Sequence, residues 1–422
     1  MKLLRVGICA VIIFSVLAYG VVEVWSTSVL EISAGLLLAF WALLVASGTI
    51  QKIHLNPLNW PLLAYLGVGL IQLIFRTTMS PFFTQAEWLK LLACYLIFFV
   101  STQAFRERSD FQFFAGFLMT LGFGVSLLGI AEFFTANGKL YWTRSTPGDV
   151  AFFGPYVNPN HFAGFVELLV PMGMALLAMR GVRRDLIPLA GLFTVLPIGA
   201  LLMSGSRGGI LSFFFEVAVL LFVAWSLRAR KSRLGMLGLF VLAAMALVVW
   251  LGAGKAVEKF THLHAGEVTL SRRWSMTTGS ADVFLVHPIV GSGLGTLVLA
   301  FPQYENMYDA RVVDHAHNDY IEILADTGIL GGLCALAFLI LLFRQAVARI
   351  ESDQGHFSRA YHVGALIACC GILMHSFVDF NLHIAANYLL FLIVAGMATS
   401  PVFESVAAAS RRGPRRVGIT RT

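Results

Sequence analysis

Long apolar segments follow one another along almost the whole of this 422-residue chain. Hydrophobic residues make up 58% of the sequence and charged residues only 13%, well below the share of about a quarter that a soluble domain carries. A membrane-spanning helix needs about 20 mostly apolar residues, and about twelve segments meet this requirement. They are residues 6–24, 29–50, 58–75, 88–104, 111–134, 160–180, 185–203, 209–227, 234–252, 316–343, 360–379 and 384–402. The pattern predicts an all-α integral membrane protein with one polytopic domain over residues 1–422.

The distribution of basic residues predicts the orientation of these spans. With twelve spans both termini lie on the same side, and 20 of the 30 lysines and arginines fall on that side. Because positive charge accumulates in cytoplasmic loops, both termini are expected in the cytoplasm. The basic tail at 404–422 is expected to contact anionic membrane lipid. The same bias accounts for the pI near 9.3, so no nucleic-acid partner is expected.

One connection is much longer than the others. Residues 253–315 join the ninth and tenth spans on the outer, periplasmic side. Loops of this length are usually functional or disordered. This one contains aromatic residues such as Trp274 and Phe301 and turn signals at His287-Pro288 and Gly291–Gly295. We expect it to fold back onto the membrane surface.

Three arginines on the outer side are candidates for binding an anion. Arg207 lies among small residues in Ser204–Gly209, at the outer end of the eighth span, and an arginine near hydrocarbon is a functional candidate because its burial costs on the order of 3 kcal/mol. The flanking glycines would let a diphosphate approach a helix N-terminus. Arg272 and Arg273 could complete a clamp with bidentate hydrogen bonds. The alternatives are a snorkelling arginine at a helix end and a solvated surface pair.

The segment Asp314–Tyr320 opens the tenth span with histidines and acids. His317 lies at the helix entrance, where it could take a proton from a hydroxyl group while a neighbouring carboxylate orients it. His315 and His317 could instead bind a metal, but no third ligand stands at a convincing spacing, so neither a metal nor a cofactor is expected. Asp314 and Asn318 could simply cap the helix.

Further polar residues gather at the outer ends of the predicted spans. A sugar-binding cleft would need such groups, although interhelical hydrogen bonding is the better explanation of any single one. They are Asn158, Asn160 and His161 at the sixth span, and His375, Asp379, Asn381 and His383 around the last outer turn.

Four short motifs follow one another between residues 150 and 400. They are Asn158–Ala163, Ser206–Gly209, Arg273 fifteen residues before Pro288 in His287–Gly295, and His317-Asn318 followed after nine residues by Gly328-Ile-Leu-Gly331. In this order they resemble the O-antigen ligase and polymerase family of bacterial envelope enzymes. The last motif matches the signature of the ligases, so a ligase is the expected activity and a polymerase of O-antigen or exopolysaccharide is the alternative.

The resemblance implies a membrane glycosyltransferase of the GT-C type in the bacterial inner membrane, with its active site on the periplasmic face. Such an enzyme moves a glycan en bloc from undecaprenyl diphosphate, a ligase to lipid A-core and a polymerase to another glycan. By motif, Arg207 and Arg273 would hold the diphosphate, and His317 would activate the acceptor hydroxyl for an inverting displacement without a metal. The family tryptophan stands a few residues after the arginine, whereas Trp274 follows directly, so Arg272 stays an alternative to Arg273.

Two other activities are less compatible with the pattern. A flippase or transporter would need interrupted helices and polar residues near mid-membrane in both halves. Here the polar residues gather on one face and in the second half of the chain. An intramembrane serine protease could use Ser206 and His317, but this serine lacks the nucleophile-elbow pattern. The contrast favours an enzyme with a one-sided site.

Overall fold

The computed structural model describes residues 1–145, 152–227, 270–307, 312–353 and 355–403, with isolated positions between 235 and 246, and most of these residues are helical. A short antiparallel hairpin, β1 (Lys139–Leu140) with β2 (Arg144–Ser145), separates the fifth and sixth helices. The helices are α1 (Lys2–Leu17), α2 (Val24–Ala46), α3 (Asn59–Ile74), α4 (Pro81–Ala104), α5 (Arg108–Thr135), α6 (Pro159–Glu167), α7 (Val170–Ala178), α8 (Ile187–Ser204), α9 (Arg207–Ser226), α10 (Leu270–Val286), α11 (Leu297–Ala300), α12 (Asp319–Ser352), α13 (His356–His375) and α14 (Ala385–Thr399).

Eight helical segments of the described residues are long and apolar enough to cross a membrane. They include α6 and α7 as one segment and correspond to eight of the twelve predicted spans. Two further predicted spans correspond to the shorter apolar helices α3 and α14. The first predicted span corresponds to α1, which has 16 residues, and the ninth, 234–252, lies outside the described residues. The chain is therefore a helical membrane protein.

The observed helices differ from the predicted spans at three places. The first helix begins at Lys2 instead of residue 6 and ends at Leu17. The sixth span is divided between α6 and α7, because Pro171 has no N–H to donate to the carbonyl of Glu167. The tenth span continues beyond residue 343 as far as Ser352.

Part of the predicted long loop is helical. α10 takes up 17 residues of it and packs against α12. Residues 253–269 of the loop and the basic tail at 404–422 lie outside the described residues.

Four helices form the centre of the bundle. The segment that contains α6 and α7 is completely buried, α14 is buried over nearly all of its length, and α13 packs against both α7 and α14. The surrounding helices expose large apolar side chains such as Leu36, Trp60 and Phe222. Because apolar side chains on the outside of a membrane protein face lipid, the polar residues of the central helices are shielded from it.

The two ends of the bundle carry different charges. At one end, Arg5 pairs with Asp110 at 2.5 Å, and Arg349 donates to the carbonyl oxygen of Thr399 at 3.1 Å. The uninterrupted part of α12 from Ile329 to Ser352 is about 36 Å long and ends beside Arg349, so Asn318 lies at the opposite end of the bundle. The arginines that the charge rule assigns to the cytoplasm are thus far from the polar helix starts.

α12 is interrupted at Gly328, where φ is 61° and ψ is −162°. The loop after α10 docks into this break. The amide of Ile329 donates to the carbonyl of Pro288 at 2.8 Å, and the amide of Ser292 donates to the carbonyl of Ala325 at 2.9 Å. A Cβ atom at Gly328 would lie 2.4 Å from the backbone of Ile289, so the break requires glycine.

Candidate active site

Three helices start at the same end of the bundle with a side-chain cap. Asn158 accepts from the amide of Asn160 before α6, the hydroxyl of Ser206 accepts from the amide of Gly209 before α9, and Asn318 accepts from two amides before α12. Asparagine and serine are favoured at this position because they satisfy amides that the helix leaves unpaired. The caps fix where each helix begins and hence where the next side chains lie.

Asp379, in the turn after α13, is the centre of the polar cluster. Its carboxylate is fully buried. One oxygen, Oδ2, accepts from the side chain of Asn160 at 2.5 Å and lies 3.9 Å from Nη2 of Arg273. The other, Oδ1, lies 3.5 Å from Nδ1 of His317 and 3.8 Å from Nε2 of His161. The structure therefore brings four other sequence-predicted residues together around the carboxylate of Asp379.

This environment keeps Asp379 ionised. Burial alone would raise the pKa of Asp379, but the adjacent imidazole of His317, helped by those of His161 and His375, outweighs it and holds the pKa of Asp379 well below its usual range. A buried carboxylate with a lowered pKa is a stable negative charge at neutral pH. It can therefore orient a neighbouring imidazole and stabilise it when it gains a proton.

His317 is held in an uncommon conformation beside this carboxylate. Its φ is +49°, in the left-handed region that costs a side-chain-bearing residue about 1 kcal/mol. Nδ1 points to Asp379, and the ring packs edge-on against Phe380, with 4.8 Å between centroids. With Nδ1 directed at the carboxylate, Nε2 is the nitrogen left to accept a proton from outside. The side chain keeps 12% of its surface exposed, which leaves a route to it.

Arg273 and the start of α9 meet the same short segment. Nη1 of Arg273 donates to the carbonyl oxygen of Val378 at 2.7 Å. Gly208, next to exposed Arg207, packs so closely on Val378 and His375 that an added Cβ would lie 3.1 Å and 2.5 Å from their side chains. Arg273 and Gly208 therefore flank the segment that leads to Asp379, and Arg207 precedes Gly208 in the first turn of α9, where anions are favoured.

Arg272 points elsewhere. Its guanidinium is 3% exposed and forms an ion pair with Glu305 at 2.6 Å. Consecutive residues of a helix face different directions, so only one of the two arginines of α10 can approach Asp379. The geometry brings Arg273 to the cluster and leaves Arg272 with a partner of its own.

A second polar cluster lies on the other side of the Phe380 ring. His315 stacks on this ring at 4.2 Å and has Nδ1 2.6 Å from Glu322. His383 has Nδ1 2.7 Å from Asp319 and Nε2 3.4 Å from Glu322. Burial alone would lower the pKa of both histidines, but the negative charge of Glu322 outweighs the effect of burial and raises both pKa values. The hydrogen bond to Asp319 raises the pKa of His383 further, to about 10. Two histidines with raised pKa values therefore face two carboxylates.

This second cluster is also the place where a metal ion could be held. Among the described residues, the ligand atoms of His315, Glu322 and His383 all lie within 4.8 Å of one another. The sequence argument considered His315 with His317 and found no third ligand. The structure separates these two histidines and brings Glu322 and His383 to His315 through folding, which spacing along the chain could not reveal.

Three other predicted residues, Asp314, His375 and Asn381, do not contact the carboxylate of Asp379 through a hydrogen bond or ion pair described above. Asp314 is exposed, so it does not orient His317. His375 is buried and has Nδ1 2.9 Å from Glu167. Asn381 is buried and accepts from Asn387 at 3.2 Å. These contacts fit the interhelical hydrogen bonding that the sequence analysis considered.

One comparison with known proteins found a family match in this chain. Residues 192–336, which contain Arg207, Arg273 and His317, match the family model described as O-antigen ligase. No match was found among the curated proteins. The match supports the resemblance that the motifs indicated: residues 192–336 of this membrane protein are similar to the O-antigen ligase family.

Proposed function

We propose that the protein transfers a glycan from a polyprenyl diphosphate, undecaprenyl diphosphate in bacteria, to a hydroxyl group of an acceptor, as an O-antigen ligase does with lipid A-core. The observation that carries the proposal is the group formed by His317, Asp379 and Arg273 beside the start of α9. It combines a base, a carboxylate to orient it and cations for the leaving group. Members of the matched family are glycosyltransferase-like enzymes, which supports an enzymatic role.

The proposed reaction is a single displacement at the anomeric carbon. Nε2 of His317 takes the proton of the acceptor hydroxyl as its oxygen attacks. The bond between the anomeric carbon and the diphosphate oxygen breaks, and its electron pair leaves with the diphosphate, whose charge Arg207 and Arg273 stabilise. Attack opposite the leaving group inverts the anomeric centre. Asp379 stabilises the imidazolium until the proton passes to water.

Glycan transfer is expected to survive chelation, because the proposed step needs no metal. Nδ1 of His315 already lies 2.6 Å from Glu322, and a metal ion bound at this nitrogen would have to displace its proton. The measurement is the transfer rate after exhaustive EDTA treatment, compared with untreated enzyme. Suppose that EDTA abolishes transfer, that one added divalent ion restores it, and that His383→Gln abolishes it as well. This result would show that the second cluster holds a required metal.

We propose that the site faces the periplasm and that both termini are cytoplasmic. Val312, which is 80% exposed, lies near the site, and exposed Ser352 lies at the opposite end of α12. In a variant without the five native cysteines, an impermeant thiol reagent added from the periplasm should label Val312→Cys and leave Ser352→Cys unlabelled. Labelling of Ser352→Cys alone would reverse the orientation.

The acceptor is tested directly by a transfer assay. Purified protein in lipid nanodiscs is offered a polyprenyl-diphosphate-linked glycan with either lipid A-core or a second lipid-linked glycan. A ligase yields glycosylated lipid A-core, whereas a polymerase yields a ladder of longer lipid-linked glycans. The ligase signature at His317-Asn318 and Gly328–Gly331 favours the first outcome. Absence of both products would contradict the proposed function, and movement of intact donor across the bilayer would indicate a flippase.

A further inference from the structure

Two carboxylates in the first turn of α12 hold the segments that supply His317 and Asp379. Both carboxylates are buried, with Asp319 1% and Glu322 2% exposed. Buried carboxylates are costly unless hydrogen bonds or ion pairs satisfy them, and both are fully engaged here. Their partners are backbone groups and histidines in the segments next to His317 and Asp379.

Glu322 fixes the residues immediately before His317. Its Oε2 accepts from the amide of Ala316 at 2.8 Å, and its Oε1 faces Nδ1 of His315 at 2.6 Å. The cap at Asn318 fixes the residue that follows. His317 is therefore held on both sides, which explains how it retains a left-handed φ that is unfavourable on its own.

Asp319 fixes the segment that follows Asp379. Its Oδ2 accepts from the amide of Leu382 at 3.2 Å, and its Oδ1 faces Nδ1 of His383 at 2.7 Å. Its own amide donates to the carbonyl of Ser376 at 3.0 Å. His383 then reaches Glu322 through Nε2 at 3.4 Å, so one network connects the two segments.

We propose that Glu322 is a positioning residue for glycan transfer: it acts through His317 by holding the 315–317 segment against the Asp379 turn. This inference rests on the proposed function. Glu322→Gln keeps the size of the side chain, and one oxygen can still accept from the Ala316 amide. The NH2 group that replaces the other oxygen cannot accept a hydrogen bond from Nδ1 of His315, so the segment loses one of its two attachments.

The test is a double-mutant cycle of Glu322→Gln with His317→Ala. Glu322→Gln alone should lower kcat by about 10- to 100-fold with little change in KM for the donor, because a small displacement of a catalytic group has effects of this size. In the His317→Ala background the same substitution should cause no further loss, since a residue that acts through another is non-additive with it. Glu87→Gln, an outer-end carboxylate paired with Lys90, is the matched control and should stay near the wild-type rate.

Three results would overturn the inference. An equal loss in both backgrounds would mean that Glu322→Gln acts on folding or on another residue. A wild-type rate for Glu322→Gln would mean that the network does not position the base. If His317→Ala itself transfers glycan at the wild-type rate, the proposed base, and with it this role of Glu322, is wrong. Should Glu322→Gln fail to fold, Glu322→Asp keeps the charge and shortens the reach by one methylene, and it should show the same non-additive loss.

Discussion

Replacement of His317 by alanine should lower the rate of glycan transfer by about two to four orders of magnitude, the usual contribution of a positioned general base. The acceptor hydroxyl is a weak nucleophile, and Nε2 of His317 is the nitrogen left free once Nδ1 faces Asp379. The side chain lies at a helix entrance and not in the apolar core, so its removal should leave folding and donor binding intact. Turnover and donor binding are measured separately on the purified variant.

Two other histidines serve as controls for this experiment. His287→Ala changes a histidine in the turn after α10 and should be close to wild type. His315→Ala should lose much less activity than His317→Ala, because His315 faces Glu322 instead of Asp379. If His317→Ala transfers glycan at the wild-type rate, or fails only because it no longer binds donor, His317 is not the base. Asp379 would then be the next residue to test, since His375 is buried against Glu167.

Arg207→Lys and Arg273→Lys should each lose about 10- to 100-fold in activity although the charge is kept. A guanidinium can form two parallel hydrogen bonds with phosphate oxygens, and an ammonium cannot. The loss of one charge-assisted hydrogen bond, at about 1.5–3 kcal/mol, corresponds to this range. The measurement is kcat/KM with a polyprenyl-diphosphate-linked glycan, together with the affinity for polyprenyl diphosphate alone.

Arg272→Lys is the matched comparison on the same helix. Arg272 is buried with Glu305, so its substitution should lower thermal stability while the surviving folded protein keeps its affinity for the diphosphate. The opposite pattern, with Arg273→Lys near wild type and Arg272→Lys inactive at full stability, would show that Arg272 holds the donor.

Sequence patterns were sufficient for the features that depend on local chemistry. Hydropathy located eight membrane-capable helices, and the capping residue Asn318 marked one of the helix starts. The glycines of the signature have a steric reason: a Cβ at Gly331 would lie 1.8 Å from the hydroxyl of Thr327. These features follow from residue type and near neighbours along the chain.

Pairings between distant segments could not be predicted in this way. The acids closest to His317 in sequence are Asp314 and Asp319, yet the one beside it in space is Asp379. The packing of α12 against α13 brings Asp379 to His317. Gln72 of α3 is another example, because the first five spans carry no motif. Its buried side chain nevertheless donates to the carbonyl of Asp326 at 2.7 Å and accepts from the amide of Leu294 at 3.0 Å.

The break at Gly328 has a consequence for the local dynamics of the chain. Amides of α12 donate into the loop at 288–295, and amides of that loop donate back into α12, so neither side can open without breaking bonds of the other. In terms of hydrogen exchange, the loop and the outer turns of α12 belong to one cooperative opening unit. The helix that carries Arg273 ends at this loop, and His317 lies just before those turns. Arg273 and His317 should therefore become ordered, and lose their order, in the same event.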